Sequence, residues 1–162
     1  RTDRDRLPAA LALNLAARAA QRLAEIGGVD EPVHITIRKD IPVAGGMAGG
    51  SADAAATLVA CDHLWGTGLS RAELEEIAAG IGSDVPFLLG GGTAMGSGRG
   101  EVLAPVLARG SYHWVFALSE GGLSTPAVYA ECDRLRGDRM VPEPAPSAEM
   151  MTAPAATFVP SR

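Results

Sequence analysis

The chain has 162 residues, of which 47% are hydrophobic and 20% are charged, so it can bury a core and does not have the composition of a disordered segment. Its formal net charge of −5 excludes a generally basic nucleic-acid-binding protein and gives no support for a polybasic membrane surface. No apolar run approaches the roughly 20 residues of a membrane span, the charged first residues show no signal peptide, and two cysteines cannot form a disulfide framework. We therefore expect a cytoplasmic protein with reduced thiols and neither a nucleic-acid nor a membrane partner.

Helices are predicted in the first half of the chain by apolar spacing and by end signals. Apolar residues recur at helical spacing over residues 11–26, and Gly27-Gly28 ends the pattern. An alanine-rich helix is predicted over residues 51–65. The sequence Ser70-Arg71-Ala72-Glu73 is a capping box, which predicts a third helix that ends near Ile81.

Strands are predicted where apolar and polar residues alternate or where short apolar runs lie beside glycines. Residues 33–37 alternate strictly, which is typical of a half-buried strand. Short strands are also predicted at residues 87–89, 93–95 and 113–118. The mixture of helices and strands favours a fold of mixed α and β structure with antiparallel pairs.

The last part of the chain contains one predicted helix and then a segment without periodicity. Thr125 followed by proline predicts an N-cap and the start of a helix that ends near Arg136. Residues 141–162 contain five of the eleven prolines and no repeating pattern, which predicts a disordered tail or linker.

A glycine-rich stretch at residues 42–56, PVAGGMAGGSADAAA, lies between a predicted strand and a predicted helix. Glycine lets the backbone approach a ligand closely, and a helix N-terminus offers unpaired N–H donors at a positive dipole end. These features favour a phosphate site, in which the Ser51 hydroxyl could contact a phosphate or a magnesium ion. The composition alone fits a tightly packed turn before a small-residue helix equally well.

Neither of the two commonest nucleotide-binding loops is present. A Walker A loop requires a glycine followed by lysine and then serine or threonine, and no glycine of this chain is followed by lysine. The Gly-x-Gly-x-x-Gly fingerprint of dinucleotide-binding folds does not occur either.

The run from Ile41 to Ala55 resembles the ATP-binding loop of the GHMP kinases. Its form most resembles the branch of that family that acts on 4-diphosphocytidyl-2-C-methyl-D-erythritol. The run Gly82-Ser83-Asp84-Val85-Pro86-Phe87, the glycine-rich run at residues 91–101, Asn14-Leu15, and Thr125-Pro126 with Tyr129 also match that branch. The resemblance covers about residues 3–136.

The resemblance implies an α+β fold of two domains, the first of the ribosomal S5 domain 2-like type, with the active site between them. Residues 1–118 would form the N-terminal ATP-binding domain without its first strands, residues 119–140 the start of the C-terminal domain, and residues 141–162 a proline-rich tail. We therefore expect a middle portion of a longer kinase, incomplete at both ends, that has no kinase activity by itself.

The resemblance also implies ATP-dependent phosphorylation of the 2-hydroxyl of 4-diphosphocytidyl-2-C-methyl-D-erythritol in non-mevalonate isoprenoid biosynthesis, with ATP and Mg²⁺ as cofactors. Asp84 would orient or deprotonate the hydroxyl, and Thr125 and Tyr129 would contact the substrate, the tyrosine by stacking on cytosine. The residues implied to bind the nucleotide are Asn14, Lys39, Pro42, Gly45, Gly46, Met47, Ala48, Gly49, Gly50 and Ser51.

Simpler interpretations of the same residues stay open at this point. Asp84 fits a solvated carboxylate in a turn, and Tyr129 fits a core position of its helix. The three histidines have no metal-ligand spacing, so no protein metal site is predicted.

Departures from the family pattern leave two alternative functions. The family's catalytic lysine lies on a strand ahead of this chain, and the only lysine here, Lys39, lies at the glycine-rich loop. The family's Asp-Gly-Tyr-His segment and its C-terminal glycine motif are also missing. One alternative is a catalytically inactive nucleotide-binding module. The other is a GHMP kinase for a different small alcohol, against which the sequence around Asp84 and Tyr129 argues.

Overall fold

The computed structural model describes residues 14–41, 45–107, 113–116, 122 and 124–140. Within these residues the chain forms helices and one small sheet, which agrees with an α+β fold. The elements in chain order are α1 (Leu15–Gly27), α2 (Gly49–Trp65), α3 (Arg71–Ile81), α4 (Val85–Gly90), β1 (Ala94–Ser97), β2 (Val102–Pro105) and α5 (Thr125–Arg136).

Helices α1 to α4 pack together around the core. Leu23, Leu58 and Val85 are the largest side chains that are completely buried. Buried alanines on α1 and α2, such as Ala19 and Ala54, leave room for the two helices to approach closely. The core therefore fixes helix α2, which begins at the glycine-rich loop.

Side-chain caps set the starts of two helices. Asn14 Oδ1 accepts hydrogen bonds from the backbone N–H groups of Ala16, at 2.9 Å, and Ala17, at 3.4 Å, so α1 begins at Leu15. The predicted capping box is confirmed, because the Ser70 side chain accepts from the Glu73 N–H and the Glu73 carboxylate accepts from the Ser70 N–H. The Ser70 hydroxyl also donates to that carboxylate, and its hydrogen bond, together with that of the Ser70 N–H, lowers the pKa of Glu73.

The predicted strand at residues 33–37 is extended but belongs to no sheet within the described part of the chain. Its side chains alternate in exposure as predicted, and Val33 and Ile35 pack against the core. Alternation specifies an extended segment with one apolar face, but a strand also needs a neighbouring backbone that exchanges hydrogen bonds with it.

The prediction of a strand at residues 87–89 is wrong, because these residues lie in helix α4. Pro86 lies in the first turn of α4, where a missing N–H costs nothing, and Leu89 is buried in the core. Three consecutive apolar residues carry no periodicity that separates a helix from a strand.

The predicted strand at residues 93–95 is confirmed with a shifted start, as β1 of an antiparallel hairpin with β2. Ala94 pairs with Pro105 and Ser97 with Val102. Strand β2 was not predicted. Residues 113–116 have no regular structure, and the rest of the predicted strand at 113–118 lies outside the described residues.

The predicted helix over residues 125–136 is confirmed, but its predicted cap is wrong. Ser124 holds the N-cap position, its side chain makes no capping hydrogen bond, and Thr125 is already helical. Helix α2 begins at Gly49, two residues before the predicted start. The predicted tail at residues 141–162 lies outside the described residues.

Candidate nucleotide-binding site

The end of the glycine-rich loop adopts left-handed backbone conformations. Gly46 has a φ of 70°, which glycine adopts freely. Ala48 has a φ of 50° and is the only non-glycine residue with positive φ in the described part of the chain. That conformation costs an L-residue roughly 1–2 kcal/mol, and such strained positions cluster at ligand-binding sites. Pro42 lies outside the described residues.

Helix α2 begins without a side-chain cap. Its N-cap residue is Ala48, whose carbonyl accepts the first helical hydrogen bond from Ala52 N–H at 2.9 Å. The first N–H groups of a helix have no acceptor inside the helix, and a serine, threonine, asparagine or aspartate usually supplies one. Among the described residues no side chain does so, which makes the helix start suitable for an anionic ligand.

Two contacts connect the chain before the loop with helix α2 after it. The Lys39 ammonium forms an ion pair with the Asp53 carboxylate. Ile41 lies against Gly49, where a Cβ atom would come within 2.9 Å of Ile41 Cγ2. A side chain at Gly49, the residue where α2 begins, would therefore require Ile41 to shift.

The start of helix α1 lies beside the start of helix α2. A Cβ atom at Gly50 would lie 3.6 Å from Leu15 Cδ1, and Leu15 directly follows Asn14. The structure therefore brings the predicted nucleotide-binding residues Asn14, Lys39, Gly49 and Gly50 into one region. It also assigns the Asn14 Oδ1 atom to capping α1, a role that the sequence analysis did not predict.

Asp84 is the exposed N-cap residue of helix α4. Its side chain makes no capping hydrogen bond, and no described residue pairs with its carboxylate. The following residue, Val85, is completely buried, so the start of α4 is anchored in the core while the Asp84 carboxylate is open to solvent. This exposure is compatible with both predicted roles, catalytic base and solvated turn carboxylate.

Helix α4 lies along helix α2. Leu88 lines a shallow apolar groove of about 410 Å³ together with Ala52, Ala56 and Val59 of α2. The guanidinium of Arg71 donates a hydrogen bond to the Leu89 carbonyl at 2.7 Å, which holds the C-terminal end of α4 against α3. The two sequence motifs thus belong to neighbouring helices of one packed unit.

Thr125 and Tyr129 lie on helix α5, in which no residue is buried. Tyr129 is 67% exposed, so it is not the core residue that one interpretation predicted. Helix α5 does not pack extensively on another described helix or strand. Within the described residues, α5 therefore has no extensive contact with helix α2, which begins at the glycine-rich loop.

Three residues around the site were not given a role by sequence reasoning. Asp53 pairs with Lys39, Ile41 packs on Gly49, and Arg71 holds the end of α4. Asp53 had a detectable signal, since an acidic residue two positions after Ser51 can reach back over a tight loop to the only lysine. Nothing in the local sequence indicates the contacts of Ile41 and Arg71.

Among the described residues, no group of three or more histidine, cysteine, aspartate or glutamate side chains could hold a metal ion. No helix within the same ranges is both long and apolar enough to span a membrane. Both cysteines are free, and burial raises the pKa of the Cys61 thiol, which keeps it protonated.

Comparison with known proteins places the glycine-rich loop and Asp84 inside one family match. Residues 14–92 match the family model described as the GHMP kinases N terminal domain. This range contains helices α1 to α4 and the loop before α2.

Three curated relatives carry the name 4-diphosphocytidyl-2-C-methyl-D-erythritol kinase. The protein of Streptomyces avermitilis is 61% identical over 140 residues, which are 86% of this chain and 47% of the relative. The protein of Salinispora tropica is 60% identical over 141 residues, 86% of this chain and 45% of the relative. The protein of Kineococcus radiotolerans is 66% identical over 123 residues, 76% of this chain and 38% of the relative.

The chain therefore spans about half the length, or less, of these curated relatives. The strained loop, the uncapped helix start and the Asp84 turn all lie in the region shared with them. By these matches the chain belongs to the GHMP kinase family, with residues 14–92 corresponding to the family's N-terminal domain.

Proposed function

We propose that this chain carries the ATP-binding part of a kinase that phosphorylates the 2-hydroxyl of 4-diphosphocytidyl-2-C-methyl-D-erythritol. The observation that carries the proposal is the uncapped start of α2 behind the strained Ala48, inside a region about 60% identical to relatives named for that activity. In the domain assignment that we propose, residues 1–118 belong to the N-terminal domain, residues 119–140 begin the C-terminal domain, and residues 141–162 follow as a tail.

ATP would lie against the loop at residues 45–51, with Pro42 at its beginning. The N–H groups at the start of α2 would donate to phosphate oxygens, and the glycines would allow the backbone to approach them. Met47 and Ala48 would contribute backbone atoms, and Ser51 its hydroxyl. Asn14 would face the nucleoside through its NH₂ group, because its Oδ1 atom already caps α1. Lys39 would lie at the edge of the nucleotide.

Mg²⁺ fits this site only as an ion that arrives with the nucleotide. Mg²⁺ is commonly held by one or two protein groups together with substrate phosphates and water. The described residues offer no ready-made cluster of acidic ligands, and Asp53 is paired with Lys39. The Ser51 hydroxyl is the protein group that we expect next to the ion. Bound there, Mg·ATP would supply the phosphoryl group and neutralise its charge.

Asp84 would accept the proton of the substrate 2-hydroxyl. An alcohol is a weak nucleophile, and a carboxylate within hydrogen-bond distance can orient it and remove its proton. The open carboxylate of Asp84 on a helix anchored by Val85 supports this role. Thr125 and Tyr129 would bind the cytidyl end of the substrate, with the exposed tyrosine ring stacking on the pyrimidine.

A second function, a nucleotide-binding module without kinase activity, has one observation in its favour. Lys39 is the only lysine in the chain, and it pairs with Asp53. Phosphoryl transfer in kinases commonly uses a lysine to neutralise charge on the phosphates. A Lys39 ammonium that is already paired with Asp53 would be less able to do this.

A phosphoryl-transfer assay on the complete gene product that contains this chain separates these functions. We expect transfer of the labelled γ-phosphoryl group of ATP to 4-diphosphocytidyl-2-C-methyl-D-erythritol, with a kcat/KM at least about 10³-fold above that for mevalonate, homoserine or galactose, because only the proposed substrate carries the cytidyl group. ATP binding without transfer to any alcohol would support the inactive module. Preferred transfer to another alcohol would contradict the proposed substrate.

A further inference from the structure

The two contacts across the glycine-rich loop form a matched pair, which we call the loop clamp: Lys39 with Asp53, and Ile41 with Gly49. Lys39 and Ile41 lie on the irregular segment before the loop, and the chain bends at Ile41. Gly49 and Asp53 are four residues apart on helix α2, so they lie on one face of the helix. The irregular segment therefore meets one face of the helix at two points.

The anchored side of the clamp is helix α2. Asp53 is followed by the completely buried Ala54, and its carbonyl accepts a hydrogen bond from the Thr57 hydroxyl at 2.7 Å. Thr57 is itself buried. Groups carried by a rigid, packed helix hold their position better than groups on a loop.

The other side of the clamp lacks comparable support from regular structure. Residues 29–41 form no helix or strand, although Val33 and Ile35 pack against the core and Ile37 is half-buried beside helix α2. The Lys39 side chain is 39% exposed and the Asp53 side chain 27%. Ion pairs at such exposure contribute little to the free energy of folding. We therefore expect the Lys39–Asp53 pair to affect the position of the loop and to contribute little to the stability of the fold.

We propose that Asp53 is a positioning residue for nucleotide binding. Its carboxylate holds Lys39, and thereby the first end of the glycine-rich loop, against helix α2, so that the loop is preorganised for the triphosphate of a nucleotide. Preorganisation raises affinity because less conformational freedom is lost on binding. The proposal rests on the proposed ATP site and adds a residue to which the sequence analysis gave no role.

The direction of the change in ATP affinity when Asp53 loses its charge distinguishes this proposal from the main alternative. If Asp53 only restrained a lysine that would otherwise bind phosphate, removal of its charge would free the Lys39 ammonium and tighten ATP binding. If Asp53 positions the loop, the same change loosens the loop and weakens ATP binding. Asp53→Asn keeps the size of the side chain and removes its charge, so it gives a direct answer.

The test compares Asp53→Asn with wild type in the complete gene product, by calorimetric titration of ATP. We expect about tenfold weaker ATP binding, an unchanged KM for the phosphate acceptor, and a Tm within about 2 °C of wild type. Asp53→Glu should restore most of the affinity because it keeps the carboxylate. Glu25→Gln, which breaks the exposed Arg22–Glu25 ion pair on α1, is the matched control and should leave ATP binding unchanged.

Amide hydrogen exchange reports on positioning directly. In the nucleotide-free protein, Asp53→Asn should speed amide hydrogen exchange at residues 40–50 and leave helix α3 unchanged.

If Asp53→Asn fails to fold, Lys39→Gln breaks the same pair from the loop side and should weaken ATP binding by a similar factor. The double variant should bind ATP no more weakly than Lys39→Gln alone, because the two residues act through one contact.

Unchanged or tighter ATP binding by Asp53→Asn, or additive losses in the double variant, would overturn the role of Asp53 while the ATP site stands. Wild-type protein that does not bind ATP would overturn the proposed site itself, together with this inference.

Discussion

Replacing Asp84 by asparagine in the complete gene product should lower kcat by on the order of 10²-fold or more, the scale of a lost general base. Asparagine keeps the size of the side chain and one acceptor oxygen but cannot take the proton of the substrate hydroxyl. The Asp84 side chain makes no capping bond to helix α4, so the change removes no structural contact among the described residues. We expect unchanged ATP binding and an unchanged Tm, measured on the same preparation as kcat.

Asp62→Ala provides the structural control for this prediction, because it removes the acceptor oxygen that asparagine would keep. The Asp62 carboxylate accepts a hydrogen bond from the Thr67 hydroxyl beyond the end of helix α2, so it is a carboxylate with a structural partner. Its replacement should lower the Tm and leave kcat per folded molecule near normal. If Asp84→Asn behaves in the same way, with near-normal kcat, Asp84 is a turn residue and its catalytic role is wrong.

Gly49→Val should weaken ATP binding by about 10- to 100-fold, which corresponds to the roughly 1–3 kcal/mol of overpacking at a tight contact. Any Cβ at Gly49 would lie 2.9 Å from Ile41 Cγ2, so Ile41 must shift and its contact in the loop clamp is disturbed. The valine also places a branched side chain at the first residue of α2, where the backbone has to approach the phosphates. Separate titrations with ATP and with the cytidyl substrate measure the effect on each.

Gly80→Val is the matched control, since Gly80 lies in helix α3 and a Cβ there meets nothing within 4 Å. It should leave ATP affinity unchanged. The affinity of Gly49→Val for the cytidyl substrate should also stay near normal, because that ligand is held elsewhere. Equal losses for both ligands would mean that the site assignment is wrong or that the variant is misfolded.

The sequence predicts four of the five described helices, because their signals are local. The capping box at Ser70 lies next to the helix that it starts, and Gly28, with a φ of 62°, ends α1 where the glycine pair predicts. The strand predictions are less accurate because a strand depends on hydrogen bonds to a neighbouring strand. Residues 33–37 have the pattern but no partner among the described residues, and the apolar residues 87–89 became helical where Pro86 and the surrounding core favour a helix.

The glycine-rich loop could be found from sequence because glycine content and a following helix are visible along the chain. Of the contacts that fix it, only the Lys39–Asp53 pair has a signal in the sequence, and even these two residues are 14 positions apart and meet only once the chain folds back on α2. The strain at Ala48 was not predictable either, because alanine carries no signal for a left-handed conformation. The exposure of the Asp84 carboxylate was not predictable from sequence either, because it depends on the burial of the neighbouring Val85 in the core.

The most direct test of the ATP site is amide hydrogen exchange in the presence and absence of saturating Mg·ATP. The loop N–H groups should exchange more slowly when they donate to phosphate oxygens, so we predict ATP-dependent protection at residues 45–51 and none at the capped start of α3, residues 71–74. ATP binding that protects other residues and leaves 45–51 unchanged would contradict the account.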